Sequence, residues 1–259
     1  MRNTLIELLI NRIKKKDYFL TADLGFSVLE KIKLKIKERF INVGVSENNM
    51  MLIAAGLATR LTKNHIYVYS ISSFLISRTL EIIKIYFSND EIKNIRMIGV
   101  GPGASYSTMG KTHFNFDDIN YIYNLKNILI LNPSNEDELK FVFKKFNQSK
   151  RSIYYRLNKN FKKNILNLKK NNNFFYKKGN INNIICSGSI INYLPEIVGK
   201  KLFNSFNIIS LPILDLNYCK NIEKFLVKGK VYCITDAIKP IFFFELKEKL
   251  KKKECKILD

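Results

Sequence analysis

RFINVGVSENNMMLIAAGLA, residues 39–58, fixes the architecture of the chain. Phe40 to Val43 is an aromatic and β-branched run of strand length, Gly44 supplies a turn, and from Ser46 the apolar residues return at helical spacing through Met50, Ala54, Leu57 and Leu61. Ser46 is placed to cap that helix, and Glu47 falls in its first turn, where the helix dipole favours a carboxylate. On these residues alone Glu47 is either a solvated or capping group or a functional one. Its setting, just past a strand and beside a glycine turn, is the edge at which α/β sheets hold their ligands.

Working outward, the same alternation recurs. Candidate strands are FINV (40–43), HIYVYSI (65–71), RMIGVG (96–101), NILILN (127–132), RSIYYRL (151–157), NIICSG (183–188), FNIISLP (206–212) and KVYCIT (230–235). Helical periodicity falls between them at about 46–62, 74–88, 117–125, 134–147, 191–204 and 240–252, and the N-terminal twenty residues read as an amphipathic helix. Strands alternating with helices define an α/β protein with a parallel sheet. A Lys- and Asn-rich stretch breaks the alternation, so the expected division is a larger domain at 1–160, a linker at 161–182 and a smaller α/β domain at 183–259.

Composition narrows the classes. With 259 residues, 46% of them hydrophobic, the chain can bury a substantial core, which excludes intrinsic disorder. The four cysteines lack C-x-x-C spacing and the density of a secreted disulfide scaffold, so structural thiols in a reducing, cytoplasmic setting are expected. No run approaches the roughly 18 apolar residues that would span a bilayer, which argues for a soluble protein without a membrane partner. Lys and Arg number 44 against 22 Asp and Glu, a net charge of +22. These cations are spread along the whole chain beside Ile and Asn, a codon-bias pattern that argues against nucleic acid as the partner and leaves room for phosphorylated small molecules or an acidic partner chain.

A second informative segment is GVGPGASYSTMGKTHFNFDD, residues 99–118, a glycine-rich loop after a strand. Its spacing matches neither a P-loop nor a dinucleotide fingerprint. The chain has two histidines, and His113 in this loop is a better functional candidate than His65 at a strand start, although a structural role stays open. Asp117 and Asp118 can cap the helix that follows.

Residues 39–58, SISSFLISRTLE (70–81), GPGASYSTMGKTHFNFDDI (101–119) and ILNPSNEDEL (130–139) occur in the order and spacing of the pyrimidine-binding domain of the transketolase family, which the chain resembles over roughly residues 17–160. ADLGFS (22–27) is similar to the family's opening segment and RSIYYRLNK (151–159) to its closing strand; a weaker likeness begins again at NIICSGSII (183–191). The resemblance implies a thiamine diphosphate enzyme whose pyrimidine half is held here. Glu47 then corresponds to the glutamate that hydrogen-bonds N1′ of the aminopyrimidine, Phe74 to an aromatic packed on that ring, and Ile71 to a position where the family often has another Phe. His113 corresponds to a substrate-facing histidine that donates to a developing oxyanion. Lys31 and Lys159 lie near positions where the family keeps basic residues for a substrate phosphate. Two departures, Gly101 for a substrate histidine and Met109 for an acidic residue, imply altered sugar recognition, as in transketolase-like proteins of modified-sugar or surface-polysaccharide biosynthesis.

The family's diphosphate and Mg²⁺ site carries a G-D-G motif, which this sequence lacks, and a complete transketolase is expected to be more than twice this length. The resemblance therefore implies the C-terminal subunit of a split enzyme. An N-terminal transketolase-like partner would bring the G-D-G segment and Mg²⁺, two such pairs would form a symmetric α₂β₂ heterotetramer, and a two-carbon ketol unit would pass between sugars or sugar phosphates. The alternatives are a β-subunit-like component of a 2-oxo-acid dehydrogenase and a non-catalytic basic scaffold that keeps the fold.

Overall fold

A computed structural model of the chain describes residues 1–88, 91–125, 127–159, 167–250 and 254–258. Its strands are β1 (Tyr18–Thr21), β2 (Phe40–Asn42), β3 (Ile66–Ile71), β4 (Ile95–Val100), β5 (Ile128–Leu131), β6 (Ser152–Leu157), β7 (Lys169–Lys170), β8 (Phe175–Lys177), β9 (Asn183–Cys186), β10 (Asn207–Ser210), β11 (Ile213–Leu214), β12 (Val231–Ile234) and β13 (Cys255–Leu258). Seven form one sheet in the order β11-β5-β6-β4-β3-β1-β2, and six form a second in the order β13-β12-β9-β10-β8-β7. The first is parallel except at its β11 edge, which pairs antiparallel with β5. β3, β4, β5 and β6 are buried along their whole length, which is why they show no alternation of apolar and polar faces, Arg96 in β4 and Arg156 in β6 being buried with their apolar neighbours.

One face of this sheet packs Met50, Ala54 and Ala58 of the helix Glu47–Arg60 against Leu20, Val68 and Met97. The buried stripe of that helix differs from the expected one, because small alanines let it lie close to the sheet and leave Leu57 only half-buried. On the other face the N-terminal helix Arg2–Arg12 places Leu5, Ile6 and Leu9 in a core with Leu139, Val142 and Phe143 of the helix Glu136–Phe146. That second helix is capped by Asn135, whose side chain accepts from the Glu138 amide at 3.0 Å. The first core continues into the second sheet, where Phe242 of the helix Ile241–Leu250 meets Tyr123 edge-on at 5.7 Å.

Several elements depart from the sequence reading. The expected helix at 74–88 is broken into π-helical turns at Ser73–Ser77 and Ile83–Phe87 around a short α-turn at Leu80–Ile82. The one at 191–204 divides at Gly199, whose φ of +83° ends the helix Leu194–Ile197 before Lys200–Ser205 begins. Positions 161–166 of the expected linker and 251–252 of the expected last helix lie outside the described residues, as does position 160 at the end of the larger domain. The remainder of the stretch expected as a linker contains β7 and β8, which pair as an antiparallel edge on β10, and Phe174 is buried there against Phe225. Because β11 lies in the first sheet, the C-terminal half of the chain interlocks with the N-terminal domain. All four cysteines are free and buried, with the sulfurs of Cys233 and Cys255 3.8 Å apart. Among the described residues no helix is long and apolar enough to cross a membrane.

Candidate functional site

The site forms where parallel strands end. After β2 the chain turns through Gly44 at φ +74°, and the Asn42 side chain accepts from the amides of Gly44 at 3.1 Å and Asp23 at 2.9 Å, tying the ends of β1 and β2 together. Ser46 stands at the N-cap of the next helix, but its side chain makes no capping hydrogen bond, contrary to expectation. Glu47 is the first helical residue and is 4% exposed. A carboxylate so placed lies against the positive end of the helix dipole. Its Oε2 accepts from Arg78 Nη1 at 3.1 Å, and while Glu47 is shielded, the Arg78 side chain is 48% exposed.

β3 ends at Ile71, which is 8% exposed, and the chain passes through the buried Ser72 into the π-helical turn that carries Phe74. Turns of this kind concentrate at functional sites. The Arg78 guanidinium carbon lies 3.8 Å from the Phe74 ring centroid, and the edge of the same ring meets His113 at 4.9 Å and 63°. His113 sits on the short 3-10 turn Lys111–His113 of the glycine-rich loop, where its Nδ1 is 3.1 Å from Thr112 Oγ1. Paired backbone hydrogen bonds between Gly103 and Asn115, at 2.7 and 3.0 Å, close the loop. Tyr106 extends the row, its ring 6.1 Å from His113 and under the Lys159 ammonium at 4.4 Å.

Glu47, Phe74, His113 and Lys159 are thus joined through Arg78 and Tyr106 into one line of contacts, and Ile71 lies three residues from it. Lys31 is not brought to this line. It is exposed on the helix Glu30–Ile36 and borders a cleft of about 300 Å³ with Asn3, Ile6 and Glu7 of the N-terminal helix. The two departures in the loop have a structural counterpart. Gly101 has φ +69°, and a Cβ there would lie 2.1 Å from Tyr106 Cε2, so Tyr106 fills the space that a larger residue would need. Met109 is 55% exposed.

Two features escaped the sequence reading. Arg78 is one; it falls four residues after Phe74, on the same helical face, and that spacing was the available signal. The other is a buried polar network centred on Asp118, expected only as a helix cap. Its Oδ2 accepts from Tyr154 OH at 2.7 Å, Arg156 Nε at 2.8 Å and Ser72 Oγ at 3.1 Å, while Asn115 Nδ2 donates to Ser72 at 2.9 Å. Arg156 also reaches across to Asp236 Oδ1 at 2.7 Å, linking the two sheets. Burial works against the Arg156 charge, but Asp118 and Asp236 outweigh it and hold the guanidinium's pKa up. Burial first, and then Asp118, pushes the Tyr154 phenol far above its ordinary range. Gly99 is required here, since a Cβ would stand 2.7 Å from the Tyr154 ring.

Fold and site together define an α/β domain whose sheet edge presents a shielded carboxylate beside a flat aromatic face. The chain belongs to the transketolase pyrimidine-binding domain family, which matches residues 9–161. A putative transketolase C-terminal section of Methanocaldococcus jannaschii is 27% identical over 245 residues, covering 91% of this chain and 76% of that protein. An apulose-4-phosphate transketolase subunit of Actinobacillus succinogenes is 31% identical over 141 residues, 53% of this chain and 44% of its own length. A 6-deoxy-6-sulfo-D-fructose transketolase subunit of Clostridium sp. is 25% identical over 160 residues, 61% and 49% of the two chains. This chain therefore spans about half the length of the last two relatives. Among solved structures, a split-gene transketolase described as an inactive β4 tetramer superposes with a TM-score of 0.72 at 17% identity, covering 99% of this chain and 86% of that one. The transketolase of Campylobacter jejuni superposes with a TM-score of 0.71 at 16% identity over 100% of this chain and 42% of its own. At these identities the superpositions establish the fold.

Proposed function

We propose that this chain is the C-terminal subunit of a split, thiamine diphosphate-dependent transketolase-like enzyme that moves a two-carbon ketol unit between sugars. The observation that carries the reading is the pairing of buried Glu47 with a planar nitrogen donor stacked on Phe74. The donor is Arg78, yet the chemistry it satisfies, a flat N–H group between an aromatic face and a carboxylate, is that of an aminopyrimidine. The residues present therefore fit the pyrimidine half of the cofactor.

When bound, thiamine diphosphate would supply a nucleophilic thiazolium carbon and a cationic ring that takes up, by conjugation, the electron pair left when a ketose C–C bond breaks. Glu47 would hold the ring nitrogen and keep the tautomer that carries a proton there, with water excluded because the carboxylate is shielded. Phe74 would support the flat face of the ring and Ile71 the apolar floor beside it. In the tautomer whose Nδ1 accepts from the Thr112 hydroxyl, His113 would present Nε2–H to a substrate oxygen as charge develops on it. Lys159, exposed beside the loop, would meet an anionic group on the sugar; for Lys31 the described residues offer no contact with this line. Two relatives are named for a sugar phosphate and a sulfonated sugar, which supports an anionic or modified sugar as substrate.

The sequence holds no G-D-G, and among the described residues no group of three or more His, Cys, Asp or Glu is placed to bind a metal. We assign the diphosphate and Mg²⁺ to an N-terminal partner chain, in a cytoplasmic α₂β₂ assembly with the site between subunits, a reading supported by the likeness to subunits of split transketolases. Co-expression with a diphosphate-binding chain encoded nearby, followed by native mass spectrometry, tests this. The expected result is an α₂β₂ complex carrying cofactor, in which Glu47→Gln leaves assembly intact and slows C2–H exchange by about 10²–10⁴-fold. A chain that never acquires cofactor in the presence of that partner, or an exchange rate unchanged by Glu47→Gln, overturns the reading.

A further inference from the structure

The Glu47–Arg78–Phe74 contact has a consequence for how the site is filled. The guanidinium occupies both the shielded Glu47 carboxylate, at 3.1 Å, and the face of the Phe74 ring, at 3.8 Å. A guanidinium is planar, delocalised and rich in N–H donors, so it pairs with a carboxylate and stacks on an aromatic ring at the same time. No second flat donor can take both positions while it remains. We propose that Arg78 is an internal plug: in the unassembled chain it stands in for the aminopyrimidine, and Glu47 and Phe74 accept that ring only after Arg78 swings into solvent. This rests on the assignment of Glu47 and Phe74 to the pyrimidine half of the cofactor.

The geometry makes the plug removable. Arg78 is 48% exposed against 5% for the Glu47 side chain, so the covering ion has a path to water and the covered one does not. Arg78 follows the π-helical turn Ser73–Ser77, where the backbone is already out of regular α-helical register. An ion pair with one exposed member and a cation–π contact are each modest in free energy, so the contact covers Glu47 and Phe74 without locking them. The inferred role is protective: the isolated subunit keeps its carboxylate paired and its aromatic face covered, and exchanges Arg78 for the cofactor ring when the site is completed.

Calorimetric titration of the full chain with 4-amino-5-hydroxymethyl-2-methylpyrimidine, the ring fragment alone, tests this without requiring turnover. Arg78→Gln is expected to bind the fragment about tenfold more tightly than the native chain, or about 1.4 kcal/mol. Arg78→Lys, which keeps the charge but loses the plane, should fall between them. Rapid mixing of thiamine diphosphate with the complete complex should show faster loading for Arg78→Gln. Equal or weaker fragment binding by Arg78→Gln, or none by either protein, overturns the plug; weaker binding would make Arg78 a holder of the ring. Repeating the titration with Glu47→Gln in both backgrounds separates the two ideas. Binding that depends on Glu47 but not on Arg78 removes the plug and leaves the site, whereas binding indifferent to Glu47 in every background removes the site assignment and the plug with it.

Discussion

Two carboxylate–arginine pairs stand at the same sheet edge, and they are built for opposite ends. Asp118 and Arg156 are 0% and 1% exposed; Asp118 Oδ2 also accepts from Ser72 and Tyr154, and Arg156 Nη1 also donates to Asn132 and Asp236. Glu47 and Arg78 are 5% and 48% exposed, with one hydrogen bond between them. In the first pair neither ion can leave without stranding the other in a dry interior. In the second, the ion that covers is also the one that can depart, and its departure admits water or a ligand to the one that stays. Distance does not separate them, at 2.8 and 3.1 Å; the number of further partners and the burial of the arginine do.

The largest expected effect lies in the buried pair. Arg156→Met leaves Asp118 uncompensated among Ser72 and Tyr154 and removes the bridge to Asp236, so urea unfolding of the purified chain should show a loss of about 3–5 kcal/mol. A loss below about 1 kcal/mol would mean that water reaches Asp118 and that the comparison between the two pairs is false. Next in size is Gly101→Ala. A left-handed backbone at φ +69° and a methyl 2.1 Å from Tyr106 Cε2 should together cost about 1–3 kcal/mol. The Tyr106 ring lies 6.1 Å from that of His113, so a shift of Tyr106 should also disturb the His113 ring resonances in NMR spectra while leaving those of Tyr154 in place. Disturbance of both would show that the open row and the buried network are one mechanical unit.

How far the molecule was legible in its sequence follows from the same contrast. Glu47 and His113 stand out in short contiguous segments, whereas Phe74 is assigned through the family resemblance alone; the structure joins the three through Arg78 and the Phe74 ring beyond the ends of β2, β3 and β4. The Asp118 network joins residues 38 and 80 positions apart, and only the fold brings Asp118, Arg156 and Asp236 together. In the sequence Asp118 had the residue type and place of a cap, and Arg156 lay within the expected strand RSIYYRL with no role assigned. The strands β3 to β6 were plain because each is a buried β-branched or aromatic run; β1, with four residues, and β11, with two, are too short to carry a period. Nothing in 74–88 announced the π-helical turns, since they preserve an apolar pattern close to that of an α-helix. The edge strands β7 and β8 hide in a Lys- and Asn-rich stretch because their pairing, rather than their composition, makes them strands.

At the opposite end of the sheet His65 offers a pH test of burial without functional consequence for the cleft. Burial first, and then the Arg96 guanidinium, outweighs nearby Asp17 and lowers the His65 pKa to about 4. The unfolded chain takes up this proton near pH 6.5 and the folded chain does not, so the neutral-imidazole contribution is present above pH 6.5 and is lost as pH falls toward 4. The ring is partly exposed, and with solvent screening the loss should be about 1–2 kcal/mol. His65→Gln should flatten the stability profile between pH 6.5 and 4 relative to the native chain. An unchanged slope would place the acid sensitivity in the carboxylates instead.

The smallest effect is the one that sharpens the comparison most. Arg78→Gln removes the covering member of the exposed pair, and the expected loss in urea unfolding is only about 0.5 kcal/mol, the scale of a solvent-facing ion pair. Glu47 is shielded while Arg78 lies over Phe74, but once the guanidinium is gone water takes its place, and the helix N-terminus still favours the carboxylate. The cost of an unpaired buried charge, which makes Arg156→Met severe, therefore does not arise. Measured side by side, the two arginine substitutions should differ by several-fold in free energy although each removes one carboxylate partner. A loss of about 3 kcal/mol or more for Arg78→Gln would show that Glu47 stays dry without its partner, which would make Arg78 a fixed part of the structure instead of a group able to give way to a ligand.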